Sequence, residues 1–298
     1  MGIKLSQPEN NLEDVSVVIL CAGKGTRLGN LTFNQPKPLI KIFSKRHESI
    51  LGYTLSQLKR YNLGQIGVVK GYLSDQIEEF VQKVKQKEKL LQNKLFTIDA
   101  KDYYDKGPLF SFWSITKNNQ FYNSDHYYLV LPGDTYFETK LFDHLFSSID
   151  RISNVILDAP IVYYRSLAKS QLSKKFIGES ASEEKAISHI KLKGTHNSDL
   201  KKILTSKVNS FPEGEKINQL IPIVLFSYET LEYIDEIIQD TAFKSLRDVL
   251  NHLIKAGKPI FTIKIPSKYQ FYDLDTKSDI ENVKSYFQEK EADNSKVV

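Results

Sequence analysis

Short apolar runs alternate along this chain with longer segments in which apolar residues recur every three or four positions. The runs are rich in β-branched residues and have the length of buried strands, whereas the periodic segments have the spacing of amphipathic helices. The pattern predicts strands at 15–21, 65–70, 94–98, 127–131, 155–163, 187–192, 220–226 and 259–265. It predicts helices at 48–61, 73–91, 108–119, 138–150, 229–238, 243–256 and 276–290.

This alternation of strand and helix is typical of the α/β class. It predicts a mostly parallel central sheet that is covered by helices on both faces. We expect a single domain over 14–285, with a small subdomain at 155–225 and flexible polar tails at 1–13 and 289–298. The stretch 166–186 is dominated by Ser, Lys and Glu, and we expect it to be a loop or an insertion.

The first strand leads into a small cationic loop, Ala22-Gly23-Lys24-Gly25-Thr26-Arg27-Leu28-Gly29. Glycines let the backbone approach a ligand closely and present its N–H groups, and Lys24 and Arg27 add positive charge. Ten residues after Arg27, the rigid segment Pro36-Lys37-Pro38 brings a third cation. Three cations and a glycine loop at the end of a strand favour a triphosphate ligand.

Two commoner phosphate-binding loops fit this segment less well. A dinucleotide fingerprint needs Gly-x-Gly-x-x-Gly, and the third glycine, Gly29, comes one residue late. A P-loop ends in Gly-Lys-Ser/Thr, and Gly25 interrupts that pattern directly after Lys24. The remaining alternative is a glycine-rich turn whose lysines are merely solvated.

The motifs at 22–28 and 36–39 resemble those of the nucleotidyltransferases that make nucleotide-activated sugars and related phosphorylated alcohols. Three later segments match the family in order: Val-Val-Lys-Gly-Tyr at 68–72, Leu-Pro-Gly-Asp at 131–134 and Asp-Leu-Asp-Thr-Lys-Ser-Asp at 273–279. The resemblance spans roughly residues 14–285. It implies a nucleotide-diphospho-sugar transferase-like, Rossmann-like fold.

The resemblance also implies roles for individual residues. Arg27 and Lys37 match the positions that contact the triphosphate and stabilise the transition state. Asp134 and Asp275 match carboxylates that hold a magnesium ion, Mg2+, which prefers oxygen ligands. The residues implied in nucleotide binding are Leu20, Ala22, Gly23, Lys24, Gly25, Thr26, Gly107 and Ser111.

The metal-binding segments allow other interpretations. Gly133-Asp134 is also a common way to end a strand in a turn. Asp275 precedes Thr276, which with Asp279 approaches the capping-box pattern, so we expect Asp279 to be structural. Asp273 is the competing metal ligand.

The segment that matches the family's acceptor-binding motif departs from the family pattern. Many relatives carry Glu-Lys-Pro after a central strand, and here Lys193 matches the lysine that binds the acceptor phosphate, but Leu192 replaces the glutamate. This substitution puts an ordinary hexose 1-phosphate in doubt while it keeps a phosphorylated or phosphonate acceptor. The same pocket could be lined by Tyr163, Tyr164 and Arg165.

The function implied is transfer of a nucleoside monophosphate from a nucleoside triphosphate to a sugar 1-phosphate or similar phosphorylated alcohol, with release of pyrophosphate. Its alternatives are a cytidylyltransferase for phosphocholine or a phosphonate, and a non-catalytic nucleotide-binding regulatory relative. A glycosyltransferase would need Asp-x-Asp at mid-chain, where this chain has Gly-Asp.

Composition adds a few limits. The net charge of +5 and pI near 8.9 suit small anionic ligands but are too modest to indicate nucleic acid. A single cysteine, Cys21, fits a reducing, cytoplasmic location, and no apolar run approaches the length of a membrane span. The first six residues fit the loose N-myristoylation consensus. The chain is compatible with a homo-oligomer.

Overall fold

The computed structural model describes residues 11–42, 49–152, 158–175, 186–194, 200–238 and 243–295. The myristoylation motif at the N-terminus lies outside these residues, as does most of the polar segment 1–13. Within the described ranges, no helix combines the length and apolar character that crossing a membrane requires.

The strands are β1 Asn11–Leu12, β2 Val15–Leu20, β3 Asn62–Leu63, β4 Ile66–Lys70, β5 Leu95–Asp99, β6 Tyr127–Pro132, β7 Thr135–Phe137, β8 Ile161–Ala168, β9 Ala186–Leu192, β10 Leu200–Lys207, β11 Lys216–Phe226, β12 Phe261–Lys264 and β13 Phe271–Asp273. The α-helices are α1 Ile50–Leu58, α2 Ser74–Lys87, α3 Pro108–Trp113, α4 Thr139–Ile152, α5 Lys169–Lys175, α6 Tyr228–Ile237, α7 Leu246–Lys255 and α8 Lys277–Ser295.

A nine-stranded sheet runs through the described residues in the order β10-β9-β11-β6-β2-β4-β5, with β8 paired to β11 and β12 paired to β8. The four strands β6, β2, β4 and β5 are parallel to one another. Strand β11 is antiparallel to both β6 and β8. The prediction of an α/β fold around a mostly parallel sheet is confirmed, and β11 introduces the change of direction.

The two faces of the sheet carry separate cores, because successive side chains of a strand point to opposite sides. On β2, Val15, Val17 and Ile19 belong to the core beneath α1, α2, α4 and α8. Val18 of the same strand belongs to the core beneath α3, α6 and α7. Helices on both faces therefore bury this central strand, as the continuous apolar run predicts.

Three predictions about elements were incomplete. The expected loop at 166–186 begins with the end of β8 and with helix α5, and 176–185 lie outside the described residues. Strand β10 was missed because Lys201, Lys202 and Lys207 give it a polar composition, which is usual for an edge strand. Of the strand predicted at 155–163, residues 155–157 lie outside the described residues, and β8 begins at Ile161.

The segment predicted as a subdomain, 155–225, contributes β8, β9, β10 and most of β11 to the same sheet. Strands β8 and β11 extend beyond the carboxyl end of β6, since Lys216 pairs with Ala168 while only residues 224–226 pair with β6. This extension forms one wall of the site described next. The boundary of the subdomain stays a prediction.

Candidate active site

The glycine loop after β2 is held in shape by a threonine. Gly25 and Gly29 have φ angles of 63° and 55°, which are left-handed values that a residue with a Cβ rarely adopts. The buried hydroxyl of Thr32 donates one hydrogen bond that is shared between the carbonyl oxygens of Gly25 and Gly29, at 3.0 and 3.2 Å. Sequence reasoning missed Thr32, because nothing local marks a hydroxyl seven residues after Gly25.

Asp134 is positioned by a close approach of two strand ends. It directly follows Gly133, whose N–H donates to the carbonyl oxygen of Leu20 at 2.9 Å, so the ends of β6 and β2 are joined. A Cβ at Gly133 would meet the sulfur of Cys21 and the carbonyl oxygen of Leu20 far inside van der Waals distance. Glycine is therefore required here for steric reasons.

A two-stranded antiparallel ribbon, β7 with β13, brings Asp275 to Asp134. Thr135 pairs with Asp273 in the ladder, and its hydroxyl donates to the Asp273 carboxylate at 2.6 Å. One residue further on, the N–H of Leu274 donates to the carbonyl oxygen of Asp134 at 3.1 Å. The ribbon thus aligns the residues after β6 with a segment 140 positions later.

Lys37 lies between these two carboxylates. Its Nζ is 2.6 Å from Oδ2 of Asp134 and 3.0 Å from Oδ1 of Asp275, and its side chain is only 8% exposed. Arg27 reaches the other oxygen of Asp275 at 3.1 Å, with a largely exposed side chain. Burial alone would lower the pKa of Lys37, but the two carboxylates outweigh that effect and raise it, so the ammonium is charged at neutral pH.

Two cavities meet at this group of charges. The first, of about 340 Å3, is lined by the glycine loop, by the start of α3, and by Lys37 and Asp134. The second, of about 260 Å3, is lined by β8, β9 and β11 on one side and by residues 271–282, including Asp275, on the other. Lys37, Asp134 and Asp275 therefore lie where the two cavities adjoin.

Most of the predicted site residues surround the first cavity. These are Leu20, Ala22, Gly23, Gly25, Lys37, Gly107, Ser111 and Asp134. Lys24 instead pairs with Asp105 at 2.9 Å, both side chains being about half exposed, and Thr26 is exposed on the loop. Ser111 is buried, with its hydroxyl 3.4 Å from the carbonyl oxygen of Gly107.

Lys193 is not brought to either cavity. It is exposed and follows the carboxyl end of β9, whereas the second cavity is lined by the opposite end of that strand, residues 186–188. Arg165 does line the second cavity, but Tyr163 and Tyr164 do not. The hydroxyl of Tyr163 is buried in the core.

The other acidic residues of the 273–279 segment are engaged differently. Asp279 accepts hydrogen bonds from the N–H and hydroxyl of Thr276, at 2.8 and 2.9 Å, and so caps the start of α8. Asp273 accepts from Thr135. Of the three, Asp275 contacts both Lys37 and Arg27.

The donor set fits a small hard cation. Asp134 and Asp275 come close enough for one ammonium nitrogen to contact both, and each side chain is about one-third exposed. No group of three or more His, Cys, Asp or Glu side chains among the described residues could hold a metal ion. Two carboxylates with room for phosphate oxygens and water are, however, the usual arrangement for magnesium in sites that bind nucleotide phosphates.

Residues 17–256 match the family model described as MobA-like NTP transferase domain. The match covers most of the chain, which therefore belongs to this family. It includes the glycine loop, Lys37 and Asp134, and it ends before Asp275.

Individual relatives match over shorter stretches. The CTP:phosphoglutamine cytidylyltransferase of Campylobacter jejuni is 36% identical over 69 residues, which are 23% of this chain and 26% of that protein. The D-glycero-alpha-D-manno-heptose 1-phosphate guanylyltransferase of the same organism is 27% identical over 127 residues, which are 43% of this chain and 51% of that protein. The chain thus spans between a quarter and a half of the length of these two relatives.

A solved structure extends the likeness to nearly the whole fold. A UDP-glucose pyrophosphorylase complexed with UDP-glucose superposes with a TM-score of 0.65 at 14% identity. The superposition covers 92% of this chain and 99% of that one. At this identity the likeness establishes the fold.

The role of Thr32 gives a first prediction. Replacing Thr32 by Val keeps the shape of the side chain but removes the hydroxyl that fixes the carbonyls of Gly25 and Gly29. Because each such hydrogen bond contributes about 0.5–1.5 kcal/mol, we expect the Kd for a nucleoside triphosphate to rise about five- to tenfold. Isothermal titration calorimetry measures this directly.

Thr116→Val is the matched control for Thr32→Val. The hydroxyl of Thr116 also donates to a backbone carbonyl, that of Trp113 at 2.9 Å, but it lies away from the glycine loop. We expect its nucleotide Kd to stay within about twofold of wild type. Equal nucleotide affinities of the two variants would contradict the role given to Thr32.

Proposed function

We propose that this member of the MobA-like NTP transferase family transfers a nucleoside monophosphate from a nucleoside triphosphate to a sugar 1-phosphate or a similar phosphorylated alcohol. Pyrophosphate is the second product. The observation that carries the proposal is the position of Lys37, Arg27, Asp134 and Asp275 between two cavities. One cavity suits the nucleotide and the other the acceptor.

The reaction requires two anions to meet. An oxygen of the acceptor phosphate forms a bond to the α-phosphorus of the nucleotide while the bond from that phosphorus to the β-bridging oxygen breaks. The protein needs to do little covalent chemistry. Its task is to align the two phosphates and to offset their electrostatic repulsion. Lys37 and Arg27 supply two positive charges at the junction of the cavities, and the N–H groups of the glycine loop receive the β- and γ-phosphates.

Asp134 and Asp275 are the residues that would hold a magnesium ion. When bound, the ion supplies additional positive charge to the phosphate oxygens of the nucleotide. In the structure the same two carboxylates are neutralised by Lys37 and Arg27. Because carboxylates that accept from an ammonium also accept a small hard cation, the pair is suited to both counter-ions.

Two alternatives stay in competition. A cytidylyltransferase for phosphocholine or a phosphonate is supported by the match to a CTP:phosphoglutamine cytidylyltransferase and by the absence of Glu-Lys-Pro. A non-catalytic regulatory relative would be expected to have lost one of the four charged residues, whereas all four are present and in mutual contact. That contact favours an enzyme.

The test is a panel that pairs each common nucleoside triphosphate with several phosphorylated acceptors in the presence of magnesium. The acceptors are glucose, mannose and N-acetylglucosamine 1-phosphates, phosphocholine and 2-aminoethylphosphonate. We expect pyrophosphate release that depends on one base and on one class of acceptor. Absence of release from every pair would leave the regulatory relative as the better account.

Arg27 is the best residue for testing whether positive charge at the site accelerates the reaction. Its side chain is 75% exposed, so its removal disturbs no core packing. Removing one preorganised charge contact from a transition state typically costs roughly 3–4 kcal/mol. We therefore expect Arg27→Ala to lower kcat by two to three orders of magnitude in the pyrophosphate assay, with an unchanged Tm.

Arg60→Ala is the control for Arg27→Ala. Arg60 also forms an ion pair with an aspartate, Asp143 at 2.8 Å, and its side chain is partly exposed on another part of the surface. We expect wild-type turnover from this variant. Near-normal turnover from Arg27→Ala would refute the catalytic role of Arg27.

Asp134 and Asp275 should act as a unit if they share one ion. We expect Asp134→Asn and Asp275→Asn each to abolish magnesium-dependent pyrophosphate release, and the double variant to be little worse than either single variant, since groups that act together are not additive. Asp143→Asn, which alters an aspartate paired with Arg60, serves as the control and should keep its activity. Full activity in the presence of a chelator would overturn the assignment of the ion.

A further inference from the structure

The second cavity contains a buried arginine that has no carboxylate within ion-pair distance among the described residues. Arg165 lies on β8, is 1% exposed and stacks on the ring of Phe271, with its guanidinium carbon 4.3 Å from the ring centroid. Its Nη1 donates to the carbonyl oxygen of Tyr269 at 2.9 Å. Burial lowers the pKa of Arg165 to about 10, so the guanidinium remains charged at neutral pH.

The principal partner of Arg165 is a glutamine directly opposite on β11. Arg165 and Gln219 form a cross-strand pair in the β8–β11 ladder, so their side chains share one face of the sheet. Both Nε and Nη2 of Arg165 donate to Oε1 of Gln219, at 2.9 and 2.7 Å. Two N–H groups of the charged arginine thus donate to the same amide oxygen.

This contact fixes which way the amide of Gln219 faces. Arginine has only donors, so the oxygen of the amide must be turned toward it and the NH2 group must be turned away. Gln219 is 5% exposed and lines the second cavity, and its amide nitrogen has no protein acceptor within the part of the chain that the structure describes. Because Gln219 lines the cavity, this NH2 group can donate to water in the free protein, and a ligand that displaces the water without supplying an acceptor loses binding free energy.

We infer that Gln219, held in one orientation by Arg165, donates a hydrogen bond to an oxygen of the acceptor and thereby selects a phosphorylated sugar or polyol. The inference rests on the proposed function and names the chemistry of its acceptor. Gln219 is the specificity-determining residue, and Arg165 is a positioning residue. The trimethylammonium group of phosphocholine has no oxygen or lone pair to accept from an amide and would leave this donor unsatisfied.

The other walls of the cavity agree with a hydroxylated acceptor. Ser188 of β9 lies on the side of Gln219, and Asn282 and Asp273 lie on the opposite side. A hydroxyl both donates and accepts, so a sugar or polyol can satisfy a cavity in which donors and acceptors are mixed. Selection by an oriented donor discriminates strongly, because an analogue that fills the cavity but lacks the oxygen shuts the NH2 group off from water and leaves it unpaired.

Gln219→Glu is the variant that isolates the donor. Glutamate keeps an oxygen for Arg165, and so preserves that contact, but it removes the NH2 group. We expect the KM for the most active sugar 1-phosphate of the panel to rise at least tenfold, with the KM for the nucleotide within about twofold of wild type and an unchanged or higher Tm. An unchanged acceptor KM would overturn the inference.

Gln270→Glu is the matched control. Its side-chain oxygen is 3.5 Å from Nη1 of Arg165, so this variant adds the same negative charge beside the same arginine, but Gln270 does not line the cavity. We expect both KM values to stay within about twofold of wild type. An equal acceptor defect in the two variants would assign the effect to charge near Arg165 and would overturn the role of the Gln219 amide.

A test on the wild-type protein avoids any question of folding. Deoxy analogues of glucose 1-phosphate, each lacking one hydroxyl, should show at least one position whose loss raises KM about tenfold. That penalty should largely disappear in Gln219→Glu, because the donor is already absent. Phosphocholine as the preferred acceptor of the wild-type protein would overturn the inference.

Failure of the inference is distinguishable from failure of the proposed function. If wild type releases no pyrophosphate from any pair, the proposed function fails, and binding of glucose 1-phosphate by calorimetry then tests Gln219 without turnover. Weaker binding to Gln219→Glu than to wild type supports the inference. Equal binding to both proteins, or no binding of any sugar phosphate to wild type, contradicts it.

Discussion

The pairing of β7 with β13 is the constraint on which the site depends. These strands are three residues each, yet their ladder places Asp134, at the end of β6, beside Asp275, which lies just before α8. The hydrogen bonds from Thr135 to Asp273 and from Leu274 to Asp134 fix the register of the two segments. Without this ribbon nothing would hold the two like-charged carboxylates close together. The buried ammonium of Lys37 would then lack the pair of anions that neutralises it.

The charges at the centre of the site are coupled to the stability of the protein. Lys37 is almost fully buried and is compensated by two carboxylates that are each about one-third exposed, so removing either carboxylate leaves a buried ammonium with a single counter-charge and destabilises the fold. The same four charges, two positive and two negative, lie where the two cavities meet. A site of this kind can bind anionic ligands and a cation together, because each bound ion contacts an opposite charge that the fold already holds in place.

The two cavities differ in how they are built. The first is formed by loops at the carboxyl ends of parallel strands, where open α/β sheets usually bind ligands, and its shape depends on left-handed glycines and on Thr32. The second is formed by β8 and β11 where they extend beyond the parallel strands, and by the segment that contains β13. Its polar groups are therefore set by cross-strand register, as the opposition of Arg165 and Gln219 illustrates.

The sequence alone determined the parallel part of the fold and most of the first cavity. Apolar runs and helical periodicity predicted β2, β4, β5 and β6 and their helices within a few residues, because buried parallel strands have a strong local signature. Gly25, Lys37 and Asp134 could be predicted as candidate site residues from local sequence. The first two lie in contiguous motifs, and Asp134 follows the end of a predicted strand. For the second cavity the sequence suggested Arg165 and Asp275, and only the tertiary structure added Gln219 and excluded Lys193. Lys193 matched by motif but lies beyond the far end of β9, whereas Gln219 has no local signal and acquires its meaning from pairing with Arg165, 54 residues earlier in the chain. Register and long-range pairing depend on contacts between distant segments, so no local pattern of residue types could have revealed them.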